Sequence, residues 1–158
     1  MNARDLFQLA KAKGVMIATA ESCTGGMVSA AITDIAGSSA VFDRGFVTYT
    51  NAAKMAQLGV LTETLDAHGA VSEEVAREMA KGAVAHSDAD LAVSITGIAG
   101  PGGSEHKPEG RVCFGIATTD RAFAETIEFG AIGRANVREG ATAHAIDLLA
   151  AELRRWST

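Results

Sequence analysis

Apolar residues recur along this chain in two rhythms, and their alternation lays out the fold. Leu6, Leu9 and Ala10 follow helical spacing over residues 3–13, with Lys11 and Lys13 in the last turn and Gly14 placed to close it. "VMIATA", Val15 to Ala20, is a continuous apolar run bounded by Gly14 and a polar cluster, the pattern of a strand covered on both faces. Helical spacing returns at Val28, Ala31, Ile32 and Ile35 over 24–35, closed by Gly37. Val41 to Thr50 is rich in β-branched and aromatic residues and predicts a strand, with Gly45 marking a bulge. Asn51 is then placed to cap a short helix through Leu58 that Gly59 stops.

Ser72 predicts the cap of a longer helix whose Val75, Ala76, Met79, Ala80 and Ala83 form an apolar stripe, with Glu73 and Glu74 at the positive end of its dipole. "LAVSIT", Leu91 to Thr96, repeats the buried-strand pattern and runs into fourteen irregular residues, Gly97 to Gly110, that hold five glycines and two prolines. "RVCFGIATT" and "RAFAETIEFG" predict a hairpin turning at Asp120, with Phe123, Glu125, Ile127 and Phe129 on one face. A long helix over about 135–155 carries Val137, Ala141, Ala145, Leu148 and Leu149 on one side. Helices interleaved with buried strands, then a hairpin, predict a three-layer α/β/α sandwich. Its sheet should be mixed and mostly parallel, within one domain over 1–158. Ligands of such sheets sit outside the carboxyl ends of the strands, which directs attention to the loops after "VMIATA", "FVTYT" and "LAVSIT".

Composition narrows the setting. The chain is 47% hydrophobic with 17 glycines and carries a formal charge of -5, so it lacks the basic face of a protein that holds long polyanions; direct nucleic-acid binding is not expected. Cys23 and Cys113 stand far apart without metal-ligand spacing, which predicts neither a disulfide framework nor a metal site and fits a reducing cytoplasm. The N-terminus mixes charges into an amphipathic pattern and no apolar run reaches membrane-spanning length, so export and membrane insertion are not expected.

"TAESCTGG", Thr19 to Gly26, concentrates hydroxyls, a thiol and a carboxylate directly after a strand. Ser22 and Thr24 can cap the following helix, and Gly25 and Gly26 allow close helix–strand packing. The same helix start can also present N–H groups without intrahelical partners to an anion or an oxyanion. A serine nucleophile needs a base. The stretch lacks the G-x-S-x-G elbow, and His68, His86, His106 and His144 fall in helices or exposed polar surroundings, which disfavours a Ser-His-Asp triad. "TYTNAAK" offers Lys54 in the first turn of a helix, where the dipole disfavours its charged form, and only a neutral amine can accept the serine proton. On position alone Lys54 also fits a solvated lysine, Tyr49 a half-buried strand residue, and Cys23 a small packed group ranking below Ser22 as nucleophile. The loop from Gly97 matches neither a phosphate-binding Walker loop nor a dinucleotide fingerprint, but its glycines permit close backbone approach to a ligand.

Taken together, "TAESCTGG", "FVTYTNAAKMAQLGV", "GAVSEEVAREMA" and "SITGIAGPGG…KPEGRV" resemble the CinA C-terminal domain family over about Phe7 to Leu149. Stand-alone members of that family include nicotinamide-nucleotide amidases of the PncC type. The resemblance implies a cytoplasmic hydrolase, homodimeric and working without metal or cofactor, that takes the amide nitrogen from nicotinamide mononucleotide. By motif its catalytic serine, tyrosine and lysine fall on Ser22, Tyr49 and Lys54. It implies substrate contacts from Glu21, Thr24, Gly25 and Gly26, and from Thr96, Gly97, Gly100, Gly102 and Gly103, with Arg134 or Arg138 pairing the phosphate. Many members carry a further N-terminal domain resembling molybdopterin-binding proteins, so this chain is expected to act alone or with a separate partner. The family's association with competence and DNA damage leaves two rivals: a non-catalytic interaction protein, and a module that binds a nucleotide without turning it over.

Overall fold

The central strands form where the apolar runs are continuous, because both of their faces are covered. In the computed structural model, which describes residues 2–157 and so leaves Met1 and Thr158 of the expected domain outside the described residues, five strands make one sheet. They are β1 (Ile17–Glu21), β2 (Phe42–Val47), β3 (Leu91–Gly97), β4 (Arg111–Thr118) and β5 (Ala122–Glu128), in the order β2-β1-β3-β4-β5. β1 pairs in parallel with β2 and β3, while β3–β4 and β4–β5 are antiparallel. The sheet is therefore mixed and mostly parallel, with β4, the first arm of the expected hairpin, running against the rest.

Six α-helices among the described residues cover the two faces: α1 (Ala3–Lys13), α2 (Met27–Thr33), α3 (Asn51–Leu58), α4 (Thr62–His68), α5 (Glu73–Ala85) and α6 (Arg134–Arg154). The period-two alternation of each strand sorts its side chains by size. Ile17, Leu91, Val93, Ile95, Val112, Phe114 and Ile116 point toward α1, α2 and α6 and form the larger core with Leu6, Ile32, Val137 and Leu149. Full burial of each such side chain contributes about 1.5–3 kcal/mol. On the other face Ala18, Ala20 and Ala92 meet Leu58, Val75, Met79 and Ala83 of α3 and α5. Small residues there let α5 lie close to the sheet: a Cβ on Gly115 would stand 2.3 Å from the Ala76 carbonyl oxygen, which also accepts a hydrogen bond from Ser94 Oγ.

Four local expectations are corrected by tertiary contacts. α2 begins at Met27 rather than near residue 24, and neither Ser22 nor Thr24 caps it; Gly26 holds the N-cap position at φ 104° with no side-chain cap. Thr50, not Asn51, caps α3, its Oγ1 accepting from Ala53 N at 3.1 Å. The bulge in β2 falls at Asp43, where the partners of Ile17 and Ala18 are Phe42 and Arg44. Gly45 answers a different need, because a Cβ there would meet Ser29 Oγ at 2.3 Å and Thr19 Oγ1 at 2.7 Å. α4 was not anticipated from the pattern, since it buries a single residue, Leu65, and has no side-chain cap to announce it.

Candidate active site

The carboxyl ends of β1 and β3 and the chain leaving β2 converge on one cleft of about 320 Å³. Ser22 is the first residue beyond β1, 8% exposed, with its N–H donating to Ile95 O of the neighbouring strand. Lys54 arrives from α3 and is 2% exposed. Its Nζ donates to Ser22 Oγ at 3.1 Å and to the Thr48 carbonyl at 2.9 Å. Burial pushes the Lys54 amine below its usual pKa, against a smaller upward pull from the nearby Cys23. Desolvation is thus the cause that favours the neutral amine, where the sequence offers the helix dipole. Thr48 Oγ1, in the residue whose carbonyl holds Lys54, is buried without a hydrogen-bond partner among the described residues.

Tyr49 stands on the rim, 58% exposed, its hydroxyl accepting from Arg134 Nη2 at 2.8 Å. The other arm of the same guanidinium donates to the Gly100 carbonyl at 2.9 Å, so Arg134 ties the Tyr49 segment to the glycine-rich loop across the cleft. Thr96, Gly97, Gly100, Gly102 and Gly103 all line that cleft. Thr96 Oγ1 donates to Ala70 O at 2.9 Å and fixes the Ala70–Val71 wall. Gly97 is required by close packing: a Cβ would lie 2.7 Å from Val112 Cγ2 and 3.1 Å from Cys23 Sγ. The loop is closed on itself by Glu109, which accepts from Gly102 N, and by the Lys107 carbonyl, which accepts from Ser104 N at 3.1 Å.

Five of the sequence-predicted binding residues, Glu21, Thr24, Gly25, Gly26 and Arg138, do not line the cleft. Glu21 is fully buried on the same strand face as Ile17 and Thr19, beneath α2. Its Oε1 accepts from Thr24 Oγ1 (2.7 Å), Gly26 N (3.2 Å) and Val28 N (2.9 Å), and its Oε2 from Ser29 N (3.0 Å), Ser29 Oγ (2.8 Å) and Thr19 Oγ1 (3.5 Å). The helix start read as an anion cradle is therefore filled by the chain's own carboxylate, and Thr24 is spent on it. Arg138 stands outside the cleft lining, its Nε donating to Cys23 O at 2.9 Å and its Nη2 to Thr24 O at 3.5 Å. Gly25 and Gly26 adopt φ of 56° and 104°, which L side chains rarely take, and so permit the turn between Ser22 and α2. Cys23 also borders the cleft, but burial pushes its thiol up to about 11, which leaves it a poor nucleophile at neutral pH.

Sequence reasoning missed the wall residues Ala70 and Val71, the loop-closing Glu109, and Lys107, whose Nζ donates to His68 O and Val71 O at 2.6 Å each. None had a local signal, because each acts through carbonyls or N–H groups distant in sequence. Asn51 lines the cleft because Thr50 has taken the capping role. Among the described residues no group of three His, Cys, Asp or Glu side chains is arranged to hold a metal ion, and no helix is long and apolar enough to cross a membrane.

Residues 2–153 match the family model described as the CinA C-terminal domain. The chain is 56% identical over 143 residues to the Escherichia coli protein named nicotinamide-nucleotide amidohydrolase PncC, a match taking in 90% of this chain and 87% of that protein. It is 57% identical over 129 residues to a CinA-like protein of Chloroherpeton thalassium, covering 78% of this chain but only 31% of that longer one. Among solved structures, the competence/damage inducible protein CihA of Agrobacterium tumefaciens superposes with a TM-score of 0.91 at 48% identity, over 96% of this chain and 93% of that one. The competence damage-inducible protein A of Klebsiella pneumoniae superposes with a TM-score of 0.92 at 35% identity, over 99% and 100%.

Proposed function

Because the chain belongs to the CinA C-terminal domain family, we propose that it is a nicotinamide-nucleotide amidohydrolase, converting nicotinamide mononucleotide and water to nicotinate mononucleotide and ammonia. The observation that carries this reading is the contact at 3.1 Å between the buried Lys54 amine and Ser22 Oγ, at the mouth of a cleft sized for a small ligand. The amidohydrolase name of a relative matched over 87% of its length supports the choice of reaction.

In this mechanism neutral Lys54 accepts the Ser22 proton while its N–H remains on the Thr48 carbonyl, which orients the lone pair. Oγ forms a bond to the carboxamide carbon and the carbonyl electron pair moves onto oxygen. Collapse of that intermediate breaks the C–N bond, with the proton taken from Ser22 delivered to the departing nitrogen directly by Lys54 or through Tyr49. Water, deprotonated in turn by Lys54, hydrolyses the acyl-enzyme and restores Ser22. With the α2 start filled by Glu21, phosphate binding falls to the loop from Thr96 to Gly103 and to Arg134, whose planar fork suits a phosphate. The proposal includes one domain working as a cytoplasmic homodimer, which light scattering tests as twice the mass of a single chain.

The decisive assay is ammonia release from nicotinamide mononucleotide by the purified protein, with Ser22→Ala and Lys54→Ala as controls. Release by the wild type alone is expected. No release by the wild type removes the amidase reading in favour of a binding or interaction role, and full release by Ser22→Ala removes the nucleophile assignment.

A further inference from the structure

We propose that Arg138 is a positioning residue for Ser22: from α6 it holds the carbonyls of the turn that carries the nucleophile, and it does not bind the phosphate. The inference rests on the amidase reading for its kinetic consequence. The turn from Ser22 to Gly26 is anchored by opposite charges on its opposite kinds of backbone group. Glu21 gathers the N–H groups of Gly26, Val28 and Ser29. The Arg138 guanidinium takes the carbonyls of Cys23 and Thr24.

The two carbonyls are not equally dependent on it. Thr24 O also accepts from Met27 N at 3.0 Å, whereas Cys23 O has Arg138 as its one partner among the described residues, in a residue 5% exposed. Loss of the guanidinium would leave that carbonyl buried and unpaired, and the peptide next to Ser22 would turn to find water. Ser22 Oγ would then leave its place on Lys54. Misplacement by about 1 Å is enough to cost roughly 10²-fold in rate. The guanidinium also limits what the turn can be made of, since a Cβ on Gly25 would stand 3.3 Å from Arg138 Nη2. Arg134, by contrast, lines the cleft and remains the arginine placed for an anionic substrate.

The test compares wild type, Arg138→Gln and the milder Arg138→Lys in the full chain, with melting temperatures alongside turnover of nicotinamide mononucleotide. The expected result is a roughly 10²-fold lower kcat with an essentially unchanged KM for Arg138→Gln, and an intermediate kcat for Arg138→Lys, which keeps the charge but lacks the planar fork whose separate Nε and Nη2 donors reach the two carbonyls. A raised KM at unchanged kcat would make Arg138 a phosphate ligand and overturn the proposal, as would unchanged kinetics or a fall in melting temperature alone. Alkylation of Cys23, with Cys113 as internal reference, reads the turn without any turnover. Removing the Arg138 charge by itself raises the Cys23 thiol further and slows labelling, so faster labelling in Arg138→Gln means the turn has opened. Equal or slower labelling overturns the proposal. A wild type that releases no ammonia sinks the amidase reading and leaves this labelling comparison to decide.

Discussion

Lys54→Met should exchange activity for stability, in proportions that depend on pH. The Lys54 side chain is among the largest fully buried ones, and burial lowers its pKa from the ordinary 10.5. Below the folded-state pKa the amine is charged whether the chain is folded or not, and folding must strip water from it. Between that pKa and 10.5 the unfolded chain binds one more proton than the folded one, so stability rises with pH across this window, by ~1.4 kcal/mol for each unit of depression. Above 10.5 the gain is complete. Methionine has similar length and no charge, so the stability of Lys54→Met relative to wild type should be greatest in acid and shrink through the same window. The substitution also leaves the Thr48 carbonyl without its Lys54 donor, a loss of about 1–3 kcal/mol that offsets the curve without changing its slope. Urea unfolding of both proteins from ~pH 6 to ~pH 10 reads that slope. Activity should move with it: kcat of the wild type rises as Lys54 deprotonates and then levels, while Lys54→Met loses about 10²–10⁴-fold. A stability difference flat in pH, or a kcat that falls as pH rises, would refute the account of Lys54 as a desolvated base.

Thr48→Val removes a buried hydroxyl that has no partner among the described residues, so it should leave stability unchanged or raise it by about 1 kcal/mol; thermal melting that shows a clear loss would reveal a partner such as a bound water. Cys23, with its thiol pushed from 9.0 up to about 11, should hold about 100-fold less thiolate at neutral pH than an ordinary cysteine, and its alkylation should accelerate steadily into alkali. Rapid labelling at neutral pH would reopen it as a nucleophile. Glu21→Gln places an amide NH₂ among donors that all face the carboxylate and should cost about 3–5 kcal/mol in denaturant unfolding, far more than a surface glutamate; a cost under about 1 kcal/mol would show that the turn does not depend on this charge.

What the chain determines by itself is whatever rests on periodicity and on its neighbours in sequence. The buried runs Val15–Ala20 and Leu91–Thr96 became β1 and β3, shifted by at most two residues, and the stripe from Val75 to Ala83 became α5, because burial on a repeating face is written locally. The order of strands and loops was also enough to bring Ser22, Tyr49, Lys54 and the glycine-rich loop to one end of the sheet. What only the tertiary structure decided is which of several chemically similar groups is free. Glu21 and Ser22 are neighbours in sequence, yet strand alternation turns the carboxylate under α2, where six donors consume it, and leaves the hydroxyl on Lys54. Thr50 and Asn51 both suit a helix cap, and only the path of the chain assigns the cap to one and the cleft to the other. Arg134 and Arg138 lie one turn apart on α6, but one reaches the rim of the cleft and the other the back of the turn that follows Ser22. Hydrogen-bonding capacity is local to a side chain, and whether it is already used depends on groups that folding brings from more than a hundred residues away.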